Sequence, residues 1–354
     1  MNAGAGGRAA MLPCPVLLAD IGGTYVRFAV LADPAQAPSP LWKVETADFT
    51  GPTAAIRAYG DRRATIRPRS AFLAVAGKVD GAITRLTNAP WQFDPCEIGK
   101  AIGLDAVRLV NDYVPLAAVL TVLDEAAPAD LVRIGGGAER TGTRLVIGPG
   151  TGLGAAALIP AGDRFLIQTT EAGHIGFGPC ARDDDLPWSG LLPAVGRLTA
   201  EAVLSGPGLV RLARATGAAR GLPTAWEAPS EILTVAGTDA VAGETVRHFT
   251  HLLGRFAGDM ALVFSATGGV VLAGGIAPRI IAALRTPGFH AAFEDKSPFR
   301  DAMRGIPRFV ISRPEPSIDG LATLVRDGAR FLFPSRDWRR VEADQGPPAL
   351  ATAG

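Results

Sequence analysis

The chain has little cysteine, little histidine and few charges for its 354 residues, and each shortage removes a class of function. Its three cysteines, Cys14, Cys96 and Cys180, are odd in number, far apart and never in a Cys-x-x-Cys pair. That argues against a disulfide framework and a zinc cage and fits a reducing compartment. The histidines, His174, His248, His251 and His290, do not converge as zinc ligands would. Charged residues make up 19% and the formal net charge is +1, with no basic run beyond the scatter at Arg62, Arg63, Arg67 and Arg69. Nothing calls for nucleic acid or an anionic membrane as partner. No G-x-x-x-x-G-K-[ST] occurs, which argues against a P-loop enzyme. The Met1–Met11 opening is followed by Pro13, Pro15 and Asp20 rather than an apolar core of signal-peptide length, so a cytoplasmic location is expected.

What is abundant is apolar residues, 48%, and glycine, 43 residues. That is enough apolar material for sizeable cores, and the length suits two domains with a cleft between them as the ligand site. Val16–Ala19 is an apolar run closed by Asp20 and a glycine pair, with a second run at Val26–Leu31: strand, turn, strand. Ala71–Ala76, Val107–Val110 and Leu145–Ile147 are further strand candidates separated by helical spacing, an alternation that indicates α/β. Apolar residues at Val246, Phe249, Leu253, Phe256, Met260 and Val263 predict one long helix. Met260–Pro278 has no charge, yet Gly268-Gly269 and Gly274-Gly275 bracket Val270–Leu272, which reads as helix end, buried strand and turn rather than a membrane span. No repeat of solenoid period is visible.

Two glycine-rich turns stand out. Asp20-Ile-Gly22-Gly23-Thr24 sets an acid at a strand end before two residues free to take positive φ, so that backbone N–H groups can approach a phosphate and the acid a magnesium ion. Gly148-Pro-Gly150-Thr151-Gly152-Leu-Gly154 is a second such turn. Standing alone, Gly-Gly-Thr is more often a plain tight turn. The second turn also matches the dinucleotide fingerprint through Gly150-x-Gly152-x-x-Ala155, with Glu171 downstream. That fingerprint requires a helix, and Ala155–Ile159 runs into Pro160 and Gly162. A hairpin fits better than a dehydrogenase turn.

Asn111-Asp112 follows the Leu109-Val110 strand end, where α/β ligand sites lie, and equally suits an Asx turn or helix cap. Glu171-Ala-Gly-His174 adds a carboxylate and an imidazole, although His174 equally suits a structural role. Glu201 precedes Ser205-Gly-Pro-Gly208, which reads as a sharp helix stop, and taken alone Glu201 is a solvated helical carboxylate. Together, however, these residues supply what phosphoryl transfer to a polyhydroxylated substrate needs: a base, hydrogen-bonding carboxylates and amides, phosphate cradles and a metal-side acid.

In this order and spacing the chain resembles the bacterial glucokinase family. The matching segments are Asp20–Thr24 with Arg27, Thr87-Asn88 with Trp91 and Phe93, Asn111-Asp112, Gly148–Gly154, Glu171–His174, Glu201–Gly208, Leu253–Phe256, Leu272–Ile276 with Pro278-Arg279, and Gly288–Lys296. The resemblance implies an α/β, two-lobed actin-like ATPase (ribonuclease H-like) fold with an interdomain cleft. It implies a small domain of residues 13–122 plus 315–334 and a large domain of 123–314; composition marks 1–12 as a flexible tail and 335–354 as a disordered one. It further implies that ATP and Mg²⁺ are used to phosphorylate glucose at its 6-hydroxyl, with Asp112 as general base. Asn111, Glu171, His174 and Glu201 would hold the sugar. Gly22, Gly23, Thr24, Gly150, Thr151 and Gly152 would cradle phosphates, Gly274 and Gly275 would border adenine and ribose, and Asp20 would hold magnesium through water. Another hexose as substrate, or a sugar-sensing regulator on the same fold, are the alternatives, and a homodimer is the prior for oligomeric state. The chain departs from the family pattern at Tyr25, Gly176 and Ser317-Ile-Asp-Gly320, where Asn, Asp and Gly-Leu-x-Gly are usual. It also lacks the cysteine-rich zinc motif of the related repressor and kinase group.

Overall fold

The computed structural model describes residues 11–62, 66–79, 83–86, 89–138, 141–180, 186–192 and 196–341. Thr87-Asn88 and most of the two terminal tails lie outside them. The described chain forms two compact units, one of residues 11–110 with the segment from Pro334 onward, the other of 111–333.

The first unit is laid out by its opening strands. β1 (Val16–Ile21), β2 (Tyr25–Leu31) and β3 (Trp42–Glu45) form an antiparallel meander, and β4 (Ser70–Val75) lies parallel to β1. β4 is buried at every position, as expected of an interior strand covered on both faces. A short pair, β5 (Thr84–Arg85) and β6 (Gln92–Phe93), stands apart, and β7 (Ala106–Asn111) completes the order β3-β2-β1-β4-β7. Leu17, Phe28, Ile56, Leu73, Phe93 and Leu109 share its core.

The second unit repeats this plan. β8 (Leu131–Gly135) is an edge strand; β9 (Arg144–Pro149), β10 (Leu153–Ala161) and β11 (Arg164–Thr170) form a second antiparallel meander. β12 (Gly269–Leu272) and β13 (Arg308–Ile311) follow in parallel, and β14 (Phe331–Leu332) extends the far edge. The order β11-β10-β9-β12-β13 matches β3-β2-β1-β4-β7 strand for strand. Both glycine-rich turns therefore occupy the same topological place, between the first two strands of a repeat. The uncharged stretch after Met260 divides as expected, since the helix Ala240–Val263 ends before β12, and among the described residues no helix is long and apolar enough to cross a membrane.

That helix starts at Asp239, whose carboxylate accepts from the Val241 and Ala242 amides, both at 2.9 Å, the usual satisfaction of orphan N–H groups. It packs against the helix Pro287–Glu294 through Gly254 and Gly258, where an added Cβ would meet the Phe289 and Phe293 carbonyl oxygens, each at 2.4 Å. The segments Leu253–Phe256 and Phe289–Lys296 are thus two halves of one helix contact.

Two expectations are corrected and one is extended. The units divide after Val110 and Phe333, not after residues 122 and 314, because the helix Pro316–Arg326 packs on the helix Tyr113–Val119, with Gly320 so close that a Cβ would lie 2.0 Å from the Pro115 carbonyl oxygen. Residues 335–341 are not a featureless tail: β15 (Arg336–Arg339) pairs antiparallel with β7, and the rest of the expected disordered segment lies outside the described residues. Buried Arg108 holds Asp337 by two bonds from Nε, at 2.9 and 3.1 Å, and Trp338 covers Gly99. Ser205-Gly-Pro-Gly208 follows the stop of the helix Ala200–Val203, as expected, and also starts a second helix. The Ser205 side chain accepts from the Gly208 amide at 3.1 Å and the helix runs Gly206–Ala219, with proline in the first turn, where no N–H partner is needed.

Candidate active site

The β9–β10 hairpin is the frame of the site in the second unit. Its strands pair Pro149 with Leu153 and Gly148 with Gly154, and the Gly150 amide donates to the Gly152 carbonyl at 2.8 Å across the turn. β10 continues straight from the turn as a strand, so the dinucleotide reading is excluded by the missing helix. Leu153, Ala155 and Ala157 face the core shared with Leu209 and Phe249, which leaves Gly154 on the opposite face.

Three neighbours hold the turn. Glu201, on the short helix Ala200–Val203, accepts from the Leu153 amide at 2.9 Å, and a Cβ on Gly152 would come within 2.6 Å of the same carboxylate oxygen. The Gly206 amide, at the start of the next helix, donates to the Gly150 carbonyl at 2.7 Å. Gly274, at φ 78°, brings the turn after β12 against Pro149, where a Cβ would meet the carbonyl oxygen at 2.5 Å. Gly150 and Gly275 are different: space around a Cβ at either is open to 4 Å. Packing therefore explains Gly152 and Gly274, whereas Gly150 and Gly275 leave backbone accessible to a ligand.

The polar residues reach the hairpin by separate routes. Asn111 ends β7, and its side-chain oxygen accepts from the Tyr113 amide at 2.9 Å, so the Asx-turn reading holds for Asn111. Asp112 stands at the N-cap position of the helix Tyr113–Val119, but its side chain makes no cap bond; capping does not account for its carboxylate. Glu171 and His174 flank a single 3-10 turn, with Nε2 and Oε2 3.9 Å apart and both side chains about half exposed. This turn sits on the hairpin through Gly173, whose Cβ would be 2.2 Å from the Leu153 carbonyl oxygen. Arg197 donates to the His174 carbonyl at 2.7 Å, and Ala200 to that of Ile175 at 3.1 Å, tying the Glu171–His174 loop to the helix that carries Glu201.

Asn111, Asp112, Glu171, His174, Glu201, Gly150, Thr151, Gly152, Gly274 and Gly275 are thus all attached to one hairpin or its immediate supports. Gly176 has open space where a Cβ would be, so its departure from the family pattern relieves no steric conflict.

Asp20, Gly22, Gly23 and Thr24 lie together in the first unit, at the β1–β2 turn. Asp20 pairs across the strands with Arg27, Oδ2 to Nη1 3.5 Å. The Gly22 amide donates to the Tyr25 carbonyl and the Thr46 amide to that of Thr24, both at 2.9 Å, while the Thr46 hydroxyl donates to the Gly22 carbonyl at 2.8 Å. These bonds close the turn without left-handed backbone: neither Gly22 nor Gly23 uses its freedom to take positive φ. At Gly22 a Cβ would meet only the Tyr25 carbonyl oxygen, at an ordinary 3.4 Å. Lys43 Nζ sits 4.1 Å from the Tyr25 ring centroid, a cation–π contact that occupies the departing tyrosine.

Sequence reasoning missed two supports. Tyr113 fills the space above Gly148 and Gly154, and paired glycines at opposed strand positions were the available signal. Arg255 donates to the Gly178 carbonyl at 2.7 Å with its guanidinium 4.0 Å from the Phe177 ring centroid, pinning the chain just beyond His174; nothing local announced it.

A glucokinase family model matches residues 17–328. A glucokinase of Sinorhizobium fredii is 43% identical over 332 residues, covering 92% of this chain and 96% of that protein. The crystal structure of a glucokinase from an Antarctic psychrotroph has TM-score 0.74 at 30% identity, covering 88% of this chain and 98% of that one. A ROK family glucokinase from Streptomyces griseus, in complex with glucose and AMPPNP, has TM-score 0.62 at 20% identity, covering 88% and 99%. It shares the fold. With duplicated sheets, two glycine-rich hairpin turns in equivalent places and relatives matched over nearly their whole length, this chain belongs to the glucokinase family.

Proposed function

We propose that this protein transfers the γ-phosphoryl group of ATP to the 6-hydroxyl of glucose, with Asp112 as general base. The observation that carries the reading is the attachment of Asn111-Asp112, Glu171–His174 and Glu201 to the Gly148–Gly154 hairpin, which joins hydroxyl-binding side chains to an accessible glycine backbone. The relatives named glucokinase, and the fold neighbour holding glucose and AMPPNP, support the substrate pair.

In this reading Asn111, Glu171, His174 and Glu201 bind sugar hydroxyls, and bonds to charged partners contribute about 1.5 to 3 kcal/mol each. Asp112 accepts the 6-hydroxyl proton as that oxygen attacks the γ-phosphorus and the bond to the β-phosphate oxygen breaks. The amides of Thr151 and Gly152 meet phosphate oxygens, and the Gly22–Thr24 turn of the other unit is read by itself as a phosphate cradle. Gly274 and Gly275 border the nucleoside.

Among the described residues no cluster of three or more His, Cys, Asp or Glu could hold a metal, and the β1 carboxylate Asp20 is already faced by Arg27. Asp20 would hold Mg²⁺ through water, with nucleotide phosphates supplying its other ligands. Bound there, the ion neutralises phosphate charge. In this reading the protein works in the cytoplasm, beside its supply of ATP.

The test is glucose 6-phosphate formation by purified protein with Mg²⁺ and ATP, beside Asp112→Ala. Turnover is expected to fall about 10² to 10⁴ fold in the folded variant. An unchanged rate would remove Asp112 from the chemistry; absence of wild-type activity on every hexose would overturn the kinase reading.

A further inference from the structure

We infer that Tyr113 is a positioning residue that sets the distance between Asp112 and the glycine-rich hairpin; the inference rests on the proposed role of Asp112 as base. Tyr113 follows Asp112 directly, and its amide is held by the Asn111 side chain at 2.9 Å. Its hydroxyl donates to the Gly148 carbonyl, also at 2.9 Å. The ring occupies the volume that side chains at the paired positions 148 and 154 would take: a Cβ at Gly148 would be 2.4 Å from the Tyr113 hydroxyl oxygen, and one at Gly154 2.0 Å from Cε2.

Those two glycines need no left-handed backbone, since neither takes positive φ. Their lack of side chains is explained by the tyrosine. The pair lies on the second strand rung from the Gly150–Gly152 turn, next to Pro149–Leu153, so the ring is fixed against the hairpin whose turn amides are proposed to hold phosphate. From the other side, the Pro115 carbonyl abuts Gly320 of the helix Pro316–Arg326. The first turn of the helix Tyr113–Val119 is therefore clamped between hairpin and helix, and Asp112, one residue earlier, has little freedom to shift relative to either. In-line transfer is sensitive to such shifts, since a misplacement of about 1 Å can cost on the order of 10²-fold in rate.

The experiment compares wild type, Tyr113→Phe, Tyr113→Leu and Asp112→Asn by steady-state kinetics with glucose and ATP varied, together with thermal denaturation. Tyr113→Phe keeps the ring and loses only the bond to Gly148. It is expected to lower kcat about tenfold, with both KM values within about twofold and the melting temperature nearly unchanged. Tyr113→Leu vacates part of the hole and is expected to lower kcat further, again with little change in KM. If Tyr113→Phe and Tyr113→Leu keep wild-type kcat while Asp112→Asn loses it, the positioning role is overturned and the base assignment stands. If Asp112→Asn also keeps kcat, the underlying reading fails. Loss confined to melting temperature would make Tyr113 a packing residue only and equally overturn the inference.

Discussion

Glu201 accepts a hydrogen bond from the Leu153 amide at 2.9 Å, although 48 residues separate them. One carboxylate oxygen therefore supports the phosphate-side hairpin in a residue proposed to bind sugar. Glu201→Gln keeps an acceptor for Leu153 and removes the charge. It is expected to raise KM for glucose about ten- to hundredfold, with KM for ATP little changed. Glu201→Ala removes the anchor as well and is expected to raise both. Two-substrate kinetics separate the cases; equal effects of Gln and Ala on ATP would remove Leu153 from the argument.

Gly150 and Gly275 have room for a methyl group, with nothing within 4 Å. Alanine at either position is expected to leave the melting temperature within about 2 °C, no more than the roughly 2–4 °C that a 1 kcal/mol change gives in a unit of this size. KM for ATP is expected to rise about tenfold, because the backbone can no longer approach a phosphate or nucleoside as closely. Unchanged nucleotide KM in both variants would place ATP elsewhere.

The C-terminal strand is a stability element. Arg108 is 4% exposed in its side chain, and Asp337 is its carboxylate partner. Asp337→Asn leaves a buried guanidinium with a neutral partner and is expected to cost about 1.5 to 3 kcal/mol. Truncation before Arg336 is expected to cost more, since it also uncovers Gly99 and the edge of β7. Urea unfolding checks both, and wild-type midpoints would mean that β15 contributes nothing to the fold.

Acid stability follows from a second pair. Arg313 donates to both Asp130 oxygens, at 2.8 and 2.6 Å, and this guanidinium holds the Asp130 carboxyl below its ordinary value. The stabilisation is whole above the ordinary aspartate value, about 3.9, and is lost as pH falls through the lower folded value. Asp130→Asn is therefore expected to be less stable than wild type at pH 6, and the gap to close as pH falls below the ordinary aspartate value. A gap independent of pH would show that the hydrogen bonds, rather than the charge, carry the effect.

Local pattern alone determined a good deal. Apolar runs ended by glycine marked β1, β9 and β12 because buried parallel or central strands need apolar side chains on both faces. Proline and glycine after Ala155–Ile159 excluded a helix and left the hairpin. The helical period from Val246 to Val263 identified the longest helix. The candidate residues were legible as motifs in order along the chain, and the resemblance supplied their expected roles.

Tertiary structure decided the rest, because the deciding contacts join residues far apart in sequence. Ser205 reads locally as a helix end, yet Gly206 meets Gly150 and the chain turns there into a new helix. The charged segment Arg336–Arg339 has no apolar signature of a strand, and becomes one by pairing with β7 and placing Asp337 against Arg108. The helix Pro316–Arg326 joins the second unit because Gly320 admits the Pro115 carbonyl. The two repeats share strand order but not side chains, so no periodicity in the sequence announces that their glycine-rich turns are equivalent. Nor does a tyrosine beside an aspartate announce a hole of two glycines some 40 residues later; only the register of β9 and β10 brings them under the ring.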